Sequence, residues 1–300
     1  MPFRPQATKA AITHGLPPTD DQSALWNGPG GRAWVQLQEL LDQILEPFEN
    51  LLVEVAARWP AVRVLDVGCG TGTTTLAIAR RSGATGRCVG IDISEPMLAL
   101  ARQRGERENT NATFIHGDAQ TYSFEPKSFD VILSRFGVMF FADAHEAFAN
   151  LRRAATSEAE LSFIAWRSAA ENPFMTTAER AAAPLLSDLP IRRPDQPGQF
   201  AFADRGGVQA LLETSGWSEI NIRPLDVACT FREKDLVRYF THLGPVGRAL
   251  QGTGEPTRTQ IVETVRAAFE RYVRGAEIRF TAACWMVRAR ARREYHTDNV

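Results

Sequence analysis

The chain has 300 residues, 44% of them hydrophobic and 23% charged, and a formal net charge of -1, which fits a globular protein and excludes one held on nucleic acid by bulk positive charge. Its four scattered cysteines (Cys69, Cys88, Cys229, Cys284) form no C-x-x-C pair, so neither a zinc site nor a disulfide framework is expected. No apolar run reaches the roughly 18 residues of a membrane span and no signal-peptide core opens the chain, so the expected compartment is a reducing cytoplasm.

Residues 1–24 lack periodicity and read as an arm. The turn-rich Trp26-Asn27-Gly28-Pro29-Gly30-Gly31 leads into helical spacing over Ala33–Ala57, which Pro47 is expected to split into two helices. Short apolar runs then alternate with helical stretches. Strands are expected over Val62–Val67, Cys88–Asp92, Ala112–His116, Phe129–Ser134 and Leu161–Trp166. Helices are expected over Thr73–Arg81, after a Ser94 cap, and from an Asp143/Glu146 capping box to Ala155. Past Trp166 the pattern gives an Ala-rich helix over Thr176–Leu186, a helix from Asp204 to Ser215 stopped by Gly216, and a strand over Trp217–Pro224. Helical patterns fill 233–250 and 257–273, and Ile278–Arg288 is a final strand. The arginines from Arg288 to Arg293 read as a solvated strand end and tail.

This rhythm implies an α/β fold. The expected architecture is a Rossmann-like, doubly wound, seven-stranded sheet, mostly parallel with the last strand antiparallel beside the fifth, plus a helical cap. The expected divisions are an N-terminal arm and lid helices (1–58), a core (59–167), a cap insertion (168–203), a core helix and strand (204–232), a second helical insertion (233–275) and a final strand with tail (276–300).

The informative segment is Val64-Leu65-Asp66-Val67-Gly68-Cys69-Gly70-Thr71-Gly72. A strand, a glycine turn and a helix starting at Thr73 let backbone approach a ligand closely and offer free N–H groups to it. The spacing is G-x-G-x-G, with Thr73 where a dinucleotide fold places its third glycine, and an acid precedes the turn. This run resembles the S-adenosylmethionine (SAM) signature of class I methyltransferases, in particular small-molecule enzymes like those of ubiquinone and menaquinone biosynthesis. The resemblance extends over roughly residues 60–166.

The resemblance implies SAM as cofactor, held by Asp66, Gly68, Cys69, Gly70, Thr71, Gly72, Asp92, Ile93 and Met97, with Asp92 at the ribose. It assigns the adenine to Gly117, Asp118 and Ala119, and the methionine end to Ser134 and Arg135. Alternatives stay open: a strand-end turn at Asp92, an Asx-turn at Asp118, and Arg135 paired with Asp66 or Asp143. Residues 26–32 resemble the N-terminal lids of such enzymes, with Gln38 within reach of the site; the alternative is a helix merely packed on the sheet. Trp26, Trp34, Phe136, Met139, Phe140 and Phe174 are candidate substrate-pocket residues, Phe141 and Met175 beside them, or else ordinary core. No catalytic group is identified. His145 and His116 are candidates, and His242 by type alone, with ordinary surface histidines as the alternative.

Absent motifs narrow the chemistry. The run after the fourth strand is Ser134-Arg135-Phe136-Gly137, not the Asn/Asp-Pro-Pro-aromatic run of base-amine methylation, and it holds no cysteine nucleophile. Asn172-Pro173-Phe174 is a near match in the wrong place and reads as a turn. No Mg²⁺ carboxylate set or other metal site is assembled by spacing. Ala155–Glu160 replaces the family's usual Pro-Gly-Gly-type turn, which leaves that loop open. The implied activity is methyl transfer to an O, N or C atom of a small, partly apolar, aromatic or quinone-like acceptor, by a monomer or homodimer without nucleic acid. The rivals are an NAD(P)-dependent oxidoreductase, an RNA methyltransferase and a non-catalytic SAM-binding protein.

Overall fold

A computed structural model describes residues 22–59, 62–83, 86–187, 189–190 and 196–291. The expected arm over 1–24 lies outside them, except that α1 (Gln22–Asn27) is helical from Gln22; Arg292 and Arg293 lie outside as well. α2 (Pro29–Gln36) follows, with proline in its first turn, and Leu37 separates it from α3 (Gln38–Ala56).

Pro47 does not split α3, contrary to the sequence expectation. A proline inside a helix costs about 3 kcal/mol. Here nine apolar side chains, among them Leu41, Ile44, Phe48 and Leu52, are buried along the same helix and offset that loss.

The sheet follows. Its first half is β1 (Arg63–Val67), α4 (Thr73–Ser82), β2 (Arg87–Asp92), α5 (Glu95–Arg107) and β3 (Thr113–His116). Its second half is β4 (Phe129–Arg135), α6 (Ala144–Ala154) and β5 (Ala155–Trp166). Then come α7 (Thr177–Ala182), α8 (Arg205–Thr214), β6 (Trp217–Arg232), α9 (Leu236–His242), α10 (Gly244–Leu250), α11 (Thr257–Ala268), β7 (Val273–Arg274) and β8 (Glu277–Ala291).

Strand order is β3-β2-β1-β4-β5-β8-β6, parallel except that β8 runs antiparallel between β5 and β6. The last strand therefore inserts beside the fifth, as expected. The two-residue β7 pairs with β8 and brings the count to eight rather than seven. Right-handed crossovers step from β1 to β2 in one direction and from β4 to β5 in the other. They place α4 and α5 on one face and α6 on the other, with α3 packed beside α4. The order reverses between β1 and β4, and their carboxyl ends carry the glycine loop and Ser134–Phe136.

Three further elements differ from the sequence expectation. β5 starts at Ala155, not Leu161, because α6 passes into it without a loop; Phe129 faces Ala155 and Val131 faces Glu160, so the extra residues form a bulge. β6 continues through Pro224 to Arg232, since an edge strand tolerates a missing N–H. The Ala-rich helix is shorter than expected and stops at Ala182.

Candidate functional site: the carboxyl ends of the first four strands

The glycine turn is built from left-handed backbone. Gly68 and Gly72 have φ of 67° and 83°, and Gly72 precedes the first residue of α4. A Cβ at Gly68 would lie 2.7 Å from the Cα of Gly137, so the loops after β1 and β4 touch backbone to backbone. The N–H groups of Gly68 and Cys69 both donate to the Ile91 carbonyl, and Gly72 donates to that of Cys69.

Asp92 ends β2, 7% exposed. Its two oxygens accept from Gly70 N at 2.7 Å and Ser94 N at 2.8 Å. Burial raises its pKa, and these amides oppose the rise. The N-terminal corner docks on the turn that follows. Asn27 donates to the Ile93 carbonyl at 2.9 Å and accepts from Glu95 N at 2.9 Å, and Ser94 Oγ donates to the Trp26 carbonyl at 2.6 Å. A Cβ at Gly31 would meet that same carbonyl at 1.9 Å, so glycine is required there. Trp26 packs edge-on against Phe140 (5.1 Å) and Trp34 (6.2 Å). The corner thus joins the β2 turn to the segment after β4. Met97 lies buried below, its Sδ nearest to where a Gly70 side chain would project.

A buried charge cluster lies between α3 and the loop. Asp42 accepts from Thr73 Oγ1 at 2.6 Å, from Arg104 at 2.9 Å and from Gln38. Arg104 in turn donates to the Thr71 carbonyl at 2.9 Å, inside the glycine loop. Gln38, a candidate for the pocket, is thus a partner of Asp42. One helical heptad further, Glu49 stands 3.9 Å from Arg135, their side chains 13% and 10% exposed. Burial lowers the pKa of Arg135 and raises that of Glu49. Asp66, 1% exposed, is pushed up to about 6 by burial, opposed by the hydroxyl of Thr75 donating at 2.6 Å. The partner of Arg135 is Glu49, therefore, and not Asp143, which caps α6 by accepting from Glu146 N. Asp66 acts on Arg135 only through space.

At the third strand, Gly117 N donates to the Asp92 carbonyl, and one oxygen of Asp118 forms an Asx-turn with Gln120 N at 2.9 Å. The buried Ala119 is held through its carbonyl by Asn150 at 2.9 Å. After β4, Ser134 Oγ donates to the Val67 carbonyl at 2.8 Å and accepts from Gly137 and Val138. Phe136 has φ of 66°, uncommon for a residue with a side chain, and stacks on Trp166 at 4.4 Å.

Of the histidine candidates, His116 borders the site as the register partner of Asp92, and the others lie apart from it. His116 Nε2 is 3.1 Å from the Ile93 carbonyl, and His145 Nε2 is 3.3 Å from that of Thr214, on the α6–α8 side. His242 bonds within its own helix. Met139 is buried and accepts from Trp166 N. Phe174 lies in an aromatic core of the cap, stacked on Phe280 at 3.8 Å and flanked by Tyr239, Phe269 and Tyr272. Tyr239 also lies against Met175, and Phe141 packs on Phe148. Asn172 spends its amide on the carbonyls of Arg167, Ser168 and Ala283 and accepts from Ala283 N, a structural staple between β5 and β8.

Spacing did not reveal Asp42, Glu49, Arg104 and Gly137. The available signal, for Asp42 and Glu49 alone, was two acids seven residues apart on a helix with a long apolar face.

These features suit an adenosyl sulfonium. Each Asp92 oxygen takes one amide and retains capacity for a ribose hydroxyl. Among the described residues a side chain at Gly70 would meet nothing nearer than Met97 at 3.8 Å, which leaves that backbone open to a ligand. Arg135 Nη1 is buried with no hydrogen-bond partner among the described residues, a donor suited to a carboxylate.

Fold and site together give a Rossmann-like sheet with a glycine turn and a strand-end carboxylate at its switch point. The comparisons agree. Residues 64–158 match the family model described as a methyltransferase domain. A demethylmenaquinone methyltransferase of Staphylococcus haemolyticus is 27% identical over 54% of this chain and 70% of its own length. The aklanonic acid methyltransferase DauC of a Streptomyces species is 34% identical over 36% of this chain and 49% of its own. In fold, the chain is similar to the YcgJ protein of Bacillus subtilis, with a TM-score of 0.54, 18% identity, and coverage of 81% of this chain and 97% of that one. Among the described residues no helix is long and apolar enough to cross a membrane.

Proposed function

We propose that this protein is a class I SAM-dependent methyltransferase acting on a small, partly apolar, aromatic or quinone-like acceptor. The observation that carries the reading is the joint geometry of the glycine turn and Asp92: Gly70 N binds the carboxylate that is left able to take two hydroxyls. The methyl-transfer class is supported by the matched domain, and the acceptor class by relatives whose names are those of demethylmenaquinone and aklanonic acid methyltransferases.

SAM, when bound, supplies an already activated methyl group on its sulfonium. The protein's work is to align and to exclude water. Asp92 holds the ribose end, Asp118 and the Ala119 N–H the adenine, and Arg135 a carboxylate. Trp26, Trp34 and Phe140 wall the acceptor side, where aromatic faces suit a cation. His116 stands beside Asp92 at the ribose end, bonded to the Ile93 carbonyl, whereas His145 and His242 bond elsewhere. The division into lid, core and cap, and a cytoplasmic location, belong to this proposal; four free, buried cysteines support a reducing compartment.

The test is incubation of the protein with SAM labelled on its methyl group and a panel of hydroxylated naphthalenes, anthraquinone acids and tRNA. Label is expected in an aromatic small molecule. Label only in tRNA, or in nothing while SAM binds, overturns the acceptor class. Trp26→Ala is expected to raise the acceptor KM at least several-fold.

A further inference from the structure

The amino end of the sheet carries charge that methyl transfer leaves unused. Glu160, 4% exposed, sits in β5 between Val131 of β4 and Arg290 of β8. Val131 pairs with Val64 at the start of β1, the end away from the glycine loop. Three guanidinium groups converge on the Glu160 carboxylate: Arg58 at 3.2 Å, Arg290 at 3.4 Å and Arg288 at 3.9 Å. Arg223 of β6 lies within electrostatic reach of Arg288. Arg290 also covers the ring of Trp59 at 5.3 Å and donates to the Glu158 carbonyl.

A single carboxylate neutralises one guanidinium. Of the four arginines, two remain in excess among the described residues even with the Glu158 carboxylate counted. Arg288 Nε is buried and has no hydrogen-bond partner among the described residues. Its guanidinium is held below the usual arginine range, first by burial and then by Arg58, Arg223 and Arg290, with Glu160 opposing. Guanidinium forks crowded in this way are suited to the several oxygens of a phosphate, which a lone carboxylate does not supply.

We propose that Arg58, Arg223, Arg288 and Arg290 form a binding site for a phosphate-bearing ligand, at the opposite end of the sheet from the cofactor loop. Glu160 gathers the arginines and competes with the ligand for them. The ligand is a free polyphosphate compound or a phospholipid headgroup, which share this chemistry.

The test is a titration of the full chain at low ionic strength with inorganic pyrophosphate, read by calorimetry and thermal shift. A parallel arm uses sedimentation with vesicles containing phosphatidylglycerol. Saturable binding to pyrophosphate assigns the free compound, and binding to vesicles alone assigns the headgroup. R58Q/R290Q should weaken either by at least about tenfold, since two charge-assisted forks are lost. Glu160→Gln should tighten it several-fold, and pyrophosphate should restore the stability that variant loses. SAM titration of the same variants should match the parent and so reports on folding. Absence of binding in both arms, equal binding by R58Q/R290Q, or an E160Q variant whose stability pyrophosphate does not restore, overturns the site.

Discussion

At the residue scale, the site is a balance between burial and hydrogen bonding. Asp92 is buried yet held by two amides, so it is poised to accept and not to donate. Replacing it with alanine should weaken SAM binding by about 1–3 kcal/mol through two lost charge-assisted bonds; calorimetry checks this, and unchanged affinity removes the ribose from Asp92. Asp66 behaves differently. Its folded pKa is raised to about 6 from an ordinary 3.8, so the folded state binds more protons between those values. Its contribution to stability is fully present below about pH 4 and is lost as pH rises through about 6, in the sense that linkage requires. Two units correspond to roughly 3 kcal/mol. Asp66→Asn should therefore flatten the stability of the ligand-free protein between pH 4 and 6, read by urea unfolding. The acid before the turn and the acid ending β2 were both legible in sequence, because strand and glycine spacing fix their places. The pairing of Arg135 with Glu49 was not, since 86 residues separate them and only the packing of α3 on the sheet brings them together.

At the element scale, α3 is tied to the glycine loop. Asp42 reaches Thr73 directly and the Thr71 carbonyl through Arg104, so the helix braces the glycine loop from outside. Asp42→Ala should raise the SAM Kd about tenfold, equivalent to one such bond. Asp42→Asn, which keeps an acceptor for Thr73, should recover part of that loss. If both bind SAM like the parent, the brace is structural only. The helix itself was legible from its apolar spacing, and its continuity was not. Proline spoke for a break, and the burial of Leu45 and Phe48 on either side overrode it. The junction of α6 with β5 was equally hidden, because a turn motif was missing and nothing local announced that no turn existed.

At the scale of the whole molecule, the doubly wound, mostly parallel sheet followed from the alternation of strands and helices, with the last strand expected antiparallel beside the fifth; the order of the other strands came from the fold itself. The contents of the cap did not follow. Phe174, a pocket candidate by place in the chain, is stacked into an aromatic core where β5 and β6 end and β8 begins. Periodicity cannot tell such a core from a lining. Phe174→Ala should cost about 3–5 kcal/mol of stability by cavity formation, seen as a lowered Tm, while SAM affinity stays near that of the parent. A large loss of SAM affinity without a fall in Tm would place Phe174 in the site instead.

The most direct measurement is calorimetric titration of SAM into protein freed of any copurified nucleoside, for the parent chain and for Gly68→Ala. The account predicts saturable binding at one site per chain in the parent. In the variant a Cβ, forced into a left-handed backbone 2.7 Å from Gly137, should abolish it or reduce it at least tenfold. A folded parent that gives neither heat nor saturation contradicts the account.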